Sequence, residues 1–149
     1  MNVRVLIAEH IEEHDLCPGA STVEQWSNKK WVEARVGSRL VPLFPAGPIR
    51  DSLNKHDVHH VLTGYSTRFQ GECEIAAWEL GSGGCHRNVL FWLDRIQVLL
   101  IGLLCYPRAT LHAFRRGVGS RNLYGMDMTE ILDLEVAELN QALNLKPQV

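Results

Sequence analysis

Apolar and polar positions recur with helical spacing over the C-terminal two-thirds of the chain. A first helix is expected over 51–63, because Gly64 follows it and glycine readily takes the left-handed conformation that ends a helix. A second helix is expected over 67–80, because Thr67 and Gln70 have the spacing of a capping box. A Gly-Tyr-Ser-Thr turn would therefore join two helices.

A long apolar helix is expected over 88–106, where Pro107 stops it. Asp94 and Arg95 interrupt this run, and the longest part without charge makes a helix of roughly 16 Å, against about 30 Å of bilayer hydrocarbon. The segment therefore does not cross a membrane unaided. The alternatives left open are a buried core helix, the wall of a lipid pocket and a surface-seeking segment.

Shorter elements are expected on both sides of this run. An arginine-rich helix is predicted over 109–118 and an amphipathic stretch over 129–143, while residues 1–15 favour a helix over a strand. Prolines and glycines make 17–50 irregular, with a short ordered piece around 23–36. The predicted fold class is all-α, as a compact multi-helix domain.

Composition restricts the class of protein. A chain of 149 residues with 46% hydrophobic and 21% charged residues fits one soluble globular domain. A net charge of -2 gives no basic field for nucleic acid. The N-terminus turns acidic early, unlike a secretory or mitochondrial signal, so a cytoplasmic location is expected. Cys17, Cys73, Cys85 and Cys105 form no CxxC pair and are expected as free thiols.

The stretch KHDVHHVLTGYSTRFQGE concentrates residues that bind metals. His56 and His60 are four positions apart, so a helix places them on one face, where two imidazoles can bind one ion. In one continuous helix, Glu72 would lie about 18 Å beyond His60. The turn at 64–67 allows the second helix to fold back, so that Glu72 can complete a site between the two helices.

Neighbouring polar residues have several possible roles. Asp57 lies about 100° around the helix from His56, and the alternatives are metal ligand, residue that orients a histidine, or general base. His59 is predicted to line the pocket or to support the site. Glu79 follows Glu72 by two helical turns on nearly the same face, about 10 Å further along, which is too far to share an ion.

The motif resembles a known family. His56-Asp57-Val58-His59-His60, eleven residues and then Glu72 match the pattern HDxxH–x11–E of the coenzyme Q (ubiquinone) biosynthesis protein 4 family. The segments HVLTGYSTRFQGECEIAAWELGSG and RRGVGSRNLYG are similar to the corresponding parts of that family. The likeness covers about residues 50–145, whereas 1–50 are shorter than the family's N-terminal helical part.

The resemblance implies a single all-α domain over 1–149, with 51–145 as its motif-bearing part. It implies that His56, Asp57, His60 and Glu72 bind a divalent metal, usually zinc. The implied activity belongs to ubiquinone biosynthesis, as oxidative decarboxylation at ring carbon one of a polyprenylated benzoate precursor. Family members also organise biosynthetic enzymes, bind isoprenoid lipid and associate peripherally with membranes.

Two principal functions follow as hypotheses. The first is a metal-dependent enzyme, in which Asp57 or a histidine such as His59 moves protons. The second is a lipid-binding or scaffold protein without catalysis, and a peptidase-like hydrolase ranks last. Arg115 and Arg116 follow the apolar helix and are candidates for lipid headgroup contact. The expected partners are an isoprenoid or quinone-type lipid, other quinone-biosynthesis enzymes and a membrane surface, with a homodimer left open.

Overall fold

The computed structural model describes residues 1–14 and 19–145 of the chain. These ranges contain eight α-helices, a two-stranded hairpin and a single 3-10 turn at Gly47–Ile49. In chain order, the elements are α1 (Val3–His14), α2 (Val23–Ser27), β1 (Trp31–Val36), β2 (Arg39–Pro45), α3 (Arg50–Thr63), α4 (Phe69–Gly81), α5 (Val89–Cys105), α6 (Pro107–Gly117), α7 (Met128–Asp133) and α8 (Val136–Ala142).

The chain is mainly helical, as predicted, but the prediction of an all-α fold omitted the antiparallel hairpin β1–β2. Gly37 takes the positive φ of 62° that a tight two-residue turn between strands requires. Pro42 and Pro45 in β2 suggested irregular structure. Both strands of a two-stranded sheet are edge strands, which tolerate proline because only one side of each strand pairs.

The helix boundaries around the central turn are largely as predicted. Gly64 follows α3 with a φ of 78°, and its N–H donates to the His60 carbonyl over 2.9 Å. The predicted capping box at Thr67 is wrong, because α4 begins at Phe69 and Arg68 precedes it without a side-chain cap. The chain bends at Thr67 and Arg68 before α4 begins.

Two hydrophobic groups hold α3 and α4 in place. The larger group joins α3 to helices from both ends of the chain, and its fully or nearly fully buried members are Val3, Ile7, Ile11, Trp26, Val58, Leu123, Ile131, Leu132, Leu139 and Leu143. The second joins α4 to α6 through residues that include Trp78 and Ala113. Since Gly117 would place a Cβ atom 2.4 Å from the Trp78 carbonyl oxygen, only glycine permits this helix contact.

The last predicted stretch, 129–143, divides into α7 and α8 at Leu134. Of its predicted buried side, Ile131, Leu132, Leu139 and Leu143 are buried, and Val136 packs against the same group while half-buried. The apolar spacing therefore identified the core side, although a helix break separates the two halves.

The long apolar helix forms as α5, between Asn88 and Tyr106. Its inner side buries Phe91, Arg95 and Gly102. Its outer side exposes six large apolar side chains, which are Val89, Leu90, Leu93, Ile96, Leu100 and Leu104. Across 1–14 and 19–145, none of the helices combines the length and apolar character that crossing a bilayer requires.

Candidate metal centre

His56 and His60 lie on one face of α3, separated by one helical turn. Both side chains are buried, and their ring centroids are 4.6 Å apart. The two Nε2 atoms face each other across 3.1 Å. The helix spacing seen in the sequence therefore brings two imidazole nitrogens to a common point.

The hydrogen atoms of these two rings are fixed on their other nitrogens. His60 Nδ1 is 2.9 Å from the carbonyl oxygen of Tyr65, which can only accept a hydrogen bond. His56 Nδ1 donates to the carboxylate Oε1 of Glu79 over 2.9 Å. Neutral rings with hydrogen on Nδ1 have a lone pair on Nε2. When both rings are neutral, two lone pairs oppose each other across the 3.1 Å gap, and a cation or a proton placed there relieves their repulsion.

Glu72 completes the cluster from the first turn of α4. Its Oε1 lies 3.2 Å from His60 Nε2, and its Oε2 lies 3.3 Å from His56 Nε2. One ligand atom from each of these three side chains lies within 4.8 Å of the others, so together they can hold a metal ion. Glu72 is 32% exposed at its side chain, which leaves an approach to the cluster from one side.

The turn between α3 and α4 brings Glu72 to the histidines, as the sequence predicted. Gly64 reverses the chain, and the Tyr65 carbonyl that follows orients His60. A Cβ atom at Gly71 would lie 1.9 Å from the Ser66 carbonyl oxygen, so α4 packs directly on the turn only because this position has no side chain. Glu72 is the next residue.

Glu79 contacts the cluster through His56 Nδ1, on the side away from Glu72, a role that was not predicted from the sequence. Its side chain is fully buried. Its Oε1 accepts hydrogen bonds from His56 Nδ1 at 2.9 Å, His59 Nδ1 at 2.8 Å and the Tyr124 hydroxyl at 2.5 Å. Such a carboxylate holds a metal-binding imidazole in one orientation and one tautomer. The sequence feature that indicates this role is the position of Glu79 two helical turns after Glu72, on nearly the same face of α4.

Electrostatics favour ionised carboxylates around His56. Burial acts to lower the pKa of His56, but Glu79 and Glu72 outweigh it and raise this pKa to about 10. Burial acts to raise the pKa of Glu72, and hydrogen bonds from His56 and His60 outweigh it and hold the pKa well below its usual range. The pKa of Glu79 is lowered in the same way by His56 and His59. Without a metal, a proton takes the place of the cation.

Asp57 does not belong to the group of ligand atoms that lie within 4.8 Å of one another, and its role as a metal ligand stays a prediction. Neighbouring residues on a helix point about 100° apart, which turns Asp57 away from the helix face that His56 and His60 share. Its Oδ2 instead accepts the Trp26 indole N–H over 2.7 Å. Burial raises the pKa of Asp57 to about 6. Its general-base role stays a prediction.

His59 occupies the core rather than a pocket. It is fully buried, and while Nδ1 donates to Glu79, Nε2 accepts the backbone N–H of Leu123 over 3.0 Å. Both ring nitrogens are thus engaged, and burial lowers the pKa of His59. This position does not fit the predicted proton transfer to a substrate. It fits a link between Glu79 and the segment after α6.

One cavity borders the cluster, and a second cavity shares two lining residues with the first. The first, of about 250 Å³, is polar and is lined by His56, Asp57 and Glu72 together with residues of the hairpin and the cations Lys29, Arg50 and Arg95. The second, of about 350 Å³, is mainly apolar and lies between β2, α3 and α5. Leu53 and Arg95 line both. The hairpin, which the all-α prediction omits, therefore forms part of the wall beside the candidate centre.

The two predicted headgroup-binding arginines have different environments. Arg115 is exposed at the end of α6. Arg116 is buried, donates to the Thr63 carbonyl over 3.0 Å and lies 5.0 Å from the centre of the Tyr65 ring. Burial excludes the predicted headgroup contact for Arg116 in this conformation, since the side chain ties α6 to the end of α3.

The sequence predicts that the cysteines are free thiols. Cys73, Cys85 and Cys105 are free thiols, as expected, whereas Cys17 lies outside the described residues. Burial raises the pKa of Cys85 to about 12, so this thiol is not suited to act as a nucleophile near neutral pH.

Comparison of the chain with protein-family models, with curated proteins and with solved structures finds no match. The resemblance to the coenzyme Q biosynthesis protein 4 family therefore rests on the motif and segments of the sequence.

Proposed function

We propose that His56, His60 and Glu72 bind one divalent cation, with zinc as the expected ion. The observation that carries this proposal is the pair of Nε2 atoms at 3.1 Å, with each Nδ1 committed to an acceptor outside the cluster. Zinc is commonly bound by imidazole nitrogen and carboxylate oxygen, and three protein ligands are typical of sites with an open position for a ligand.

The bound ion would act as a Lewis acid toward an oxygen atom of a ligand. Residues of the chain would orient the metal ligands, admit the bound molecule and exchange a proton with it. Glu79 holds His56 in place, and the polar cavity admits the ligand beside Glu72. Asp57 lines this cavity with a pKa of about 6, close enough to neutral pH to exchange a proton.

We further propose that the chain acts in quinone biosynthesis, on a polyprenylated benzoate precursor that it decarboxylates oxidatively at ring carbon one, with dioxygen or another two-electron oxidant supplied from outside because zinc is not redox-active. Support comes from the motif and from the two adjoining cavities. The polar cavity suits a charged ring, and the apolar cavity, lined by Phe44, Leu90 and Phe91, suits the first part of a prenyl chain.

A second candidate is a lipid-binding or scaffold protein that associates peripherally with a membrane and with other quinone-biosynthesis enzymes. The exposed apolar side of α5 favours this function, because exposed apolar patches are typical of surfaces that contact lipid or protein. In this case the ion would hold a lipid headgroup or stabilise the fold, and no decarboxylation would occur.

The test of the metal centre is metal analysis of the purified protein by mass spectrometry. The wild type is expected to contain about one zinc ion per chain, and Glu72→Gln is expected to lose most of it. Glu74→Gln is the matched control, since it makes the same change on the same helix outside the cluster. Equal metal content in all three proteins, or none in the wild type, would contradict the proposal.

The test of the function uses the same samples. Extraction of a prenyl lipid, and oxidant-dependent release of carbon dioxide from a prenylated hydroxybenzoate by the metal-loaded protein under dioxygen, would support the enzyme. Lipid without turnover, in a protein that still holds its metal, would favour the scaffold.

A further inference from the structure

Arg95 lies where the polar and the apolar cavity meet, since it lines both. The residue is only 7% exposed, and its guanidinium lies 5.0 Å from the centre of the Phe91 ring. Asp94 accepts hydrogen bonds from Nε and Nη2, which fixes the plane of the guanidinium group. The remaining nitrogen, Nη1, lies on the side of the candidate metal centre.

Nη1 has only long contacts within the described part of the chain. Its distances to the ring nitrogens of His56 are 3.3 and 3.4 Å, and those to a carboxylate oxygen of Glu72 and of Glu79 are 3.8 Å each. His56 Nδ1 cannot accept while it donates to Glu79, and Nε2 faces the position of the ion. A buried donor without a good acceptor costs free energy, so this geometry favours a ligand that supplies one.

Three cations and three carboxyl groups line the polar cavity, and its incompletely used hydrogen-bond donors favour a ligand that supplies acceptors. Lys29 and Arg50 also line it. Lys29 is paired with Glu33 over 2.6 Å, whereas Arg50 Nε is buried and has no hydrogen-bond acceptor among residues 1–14 and 19–145. The buried guanidinium group of Arg95 and the half-buried one of Arg50, each with an incompletely used donor, therefore border one cavity.

We propose that Arg95 binds, through the fork formed by Nη1 and the N–H of Nη2 that does not face Asp94, an oxyanion group of the ligand that occupies these cavities. This inference rests on the proposed metal centre, which would lie at the opposite side of the same oxyanion. A guanidinium matches two oxygens of a carboxylate or phosphate, and either group carries the required chemistry. The rest of the ligand would extend past Arg95 into the apolar cavity.

The test is calorimetric titration of the zinc-loaded protein with benzoate, with its neutral amide benzamide, and with inorganic phosphate. Wild type is expected to bind benzoate or phosphate at least about tenfold more tightly than benzamide, because charge-assisted hydrogen bonds are the stronger ones. Arg95→Gln is expected to weaken oxyanion binding by about tenfold to a hundredfold and to leave benzamide binding unchanged. Arg108→Gln, at an exposed position of α6, is the control without effect.

Comparing benzoate with phosphate shows which kind of oxyanion the site prefers. Tighter binding of benzoate assigns a carboxylate, and tighter binding of phosphate assigns a phosphate. Equal affinity of wild type for benzoate and benzamide with no phosphate binding, or unchanged oxyanion affinity in Arg95→Gln, would overturn the inference.

Zinc content is measured in every sample, so that failure of the metal centre is seen separately from failure of the Arg95 inference. A wild type without zinc contradicts the metal centre alone. If Arg95→Gln does not retain zinc, Arg95→Lys decides, since it keeps the charge but not the fork. Wild-type oxyanion affinity in zinc-loaded Arg95→Lys would overturn the role of the fork, and a weaker affinity would support it.

Discussion

On His56 and His60, the hydrogen atom of each imidazole is held on Nδ1 by an acceptor outside the cluster. The Tyr65 carbonyl and the Glu79 carboxylate serve as these acceptors, at 2.9 Å each. When both rings are neutral, this arrangement leaves the two Nε2 lone pairs facing each other beside Glu72, so that the three side chains could hold one metal ion. At the residue scale, the candidate site therefore depends on groups that do not contact the ion.

Replacement of Glu79 by Gln tests this dependence. An amide can still fill the space, but it accepts fewer and weaker hydrogen bonds, so the orientation and basicity of His56 are reduced. We expect zinc affinity to fall by about tenfold to a hundredfold, as measured by competition with a chromophoric chelator. Tyr124→Phe removes only one of the three bonds to Glu79 and is expected to have a smaller effect. Wild-type affinity in Glu79→Gln would show that Glu79 does not orient His56.

The pH dependence of the metal-free protein follows from the same residues. The pKa of His56 is raised from 6.5 to about 10 in the folded chain. The stabilisation that protonated His56 provides is therefore complete below about pH 6.5 and is lost as the pH rises toward 10. We expect the denaturation midpoint of chelator-treated protein to fall over this range.

His56→Gln is the control for this titration, because it removes the ionisable group. The midpoint of this variant should change less than that of wild type over the same range. Identical pH profiles for the two proteins would contradict a raised pKa for His56. With zinc present, affinity should increase with pH, since the ion displaces a proton.

At the scale of secondary structure, the close contact between the turn and α4 determines where Glu72 lies. The helices themselves could be predicted from apolar spacing and from Gly64. The contact could not, because it depends on Gly71 meeting the Ser66 backbone. The contacts of Glu79, Tyr124 and Arg95 could not be predicted from the sequence either, because their partners are distant in the chain.

Gly71→Ala tests this contact. The new Cβ would lie 1.9 Å from a backbone oxygen, so α4 must move away from the turn. We expect a loss of about 2–4 kcal/mol in the free energy of unfolding, measured with urea, together with loss of zinc binding. Gly47→Ala is the matched control, since a Cβ there meets nothing within 4 Å. Normal stability and zinc binding in Gly71→Ala would contradict the described packing.

The hairpin shows why the fold class was only partly predictable. Val, Trp and Phe in β1 and β2 favour strands, but the prolines at 42 and 45 argued for irregular structure. The pairing of the two strands decided the outcome, and it places Trp31 and Glu33 at the polar cavity. The histidine pair and the returning Glu72 were predictable because their spacing is local.

At the scale of the whole molecule, the candidate centre and the exposed apolar side of α5 lie on different parts of one framework. Arg95 faces the centre from α5, while Leu100 and Leu104 on the same helix are 56% and 84% exposed. The helix can therefore connect a ligand site with a contact surface.

Leu100→Gln with Leu104→Gln tests this surface. Because both side chains are exposed, we expect the double variant to keep its stability and zinc content within the range of wild type. Its binding to phospholipid vesicles, measured by co-sedimentation, is expected to fall by several-fold. Equal sedimentation of the two proteins would mean that the outer side of α5 does not contact lipid.

The most direct test of the central claim is anomalous diffraction from crystals of the zinc-loaded protein, collected on both sides of the zinc absorption edge. The account predicts one peak at about 2.0–2.2 Å from His56 Nε2, His60 Nε2 and a carboxylate oxygen of Glu72. A peak bound by other residues, or no peak between α3 and α4, would contradict it.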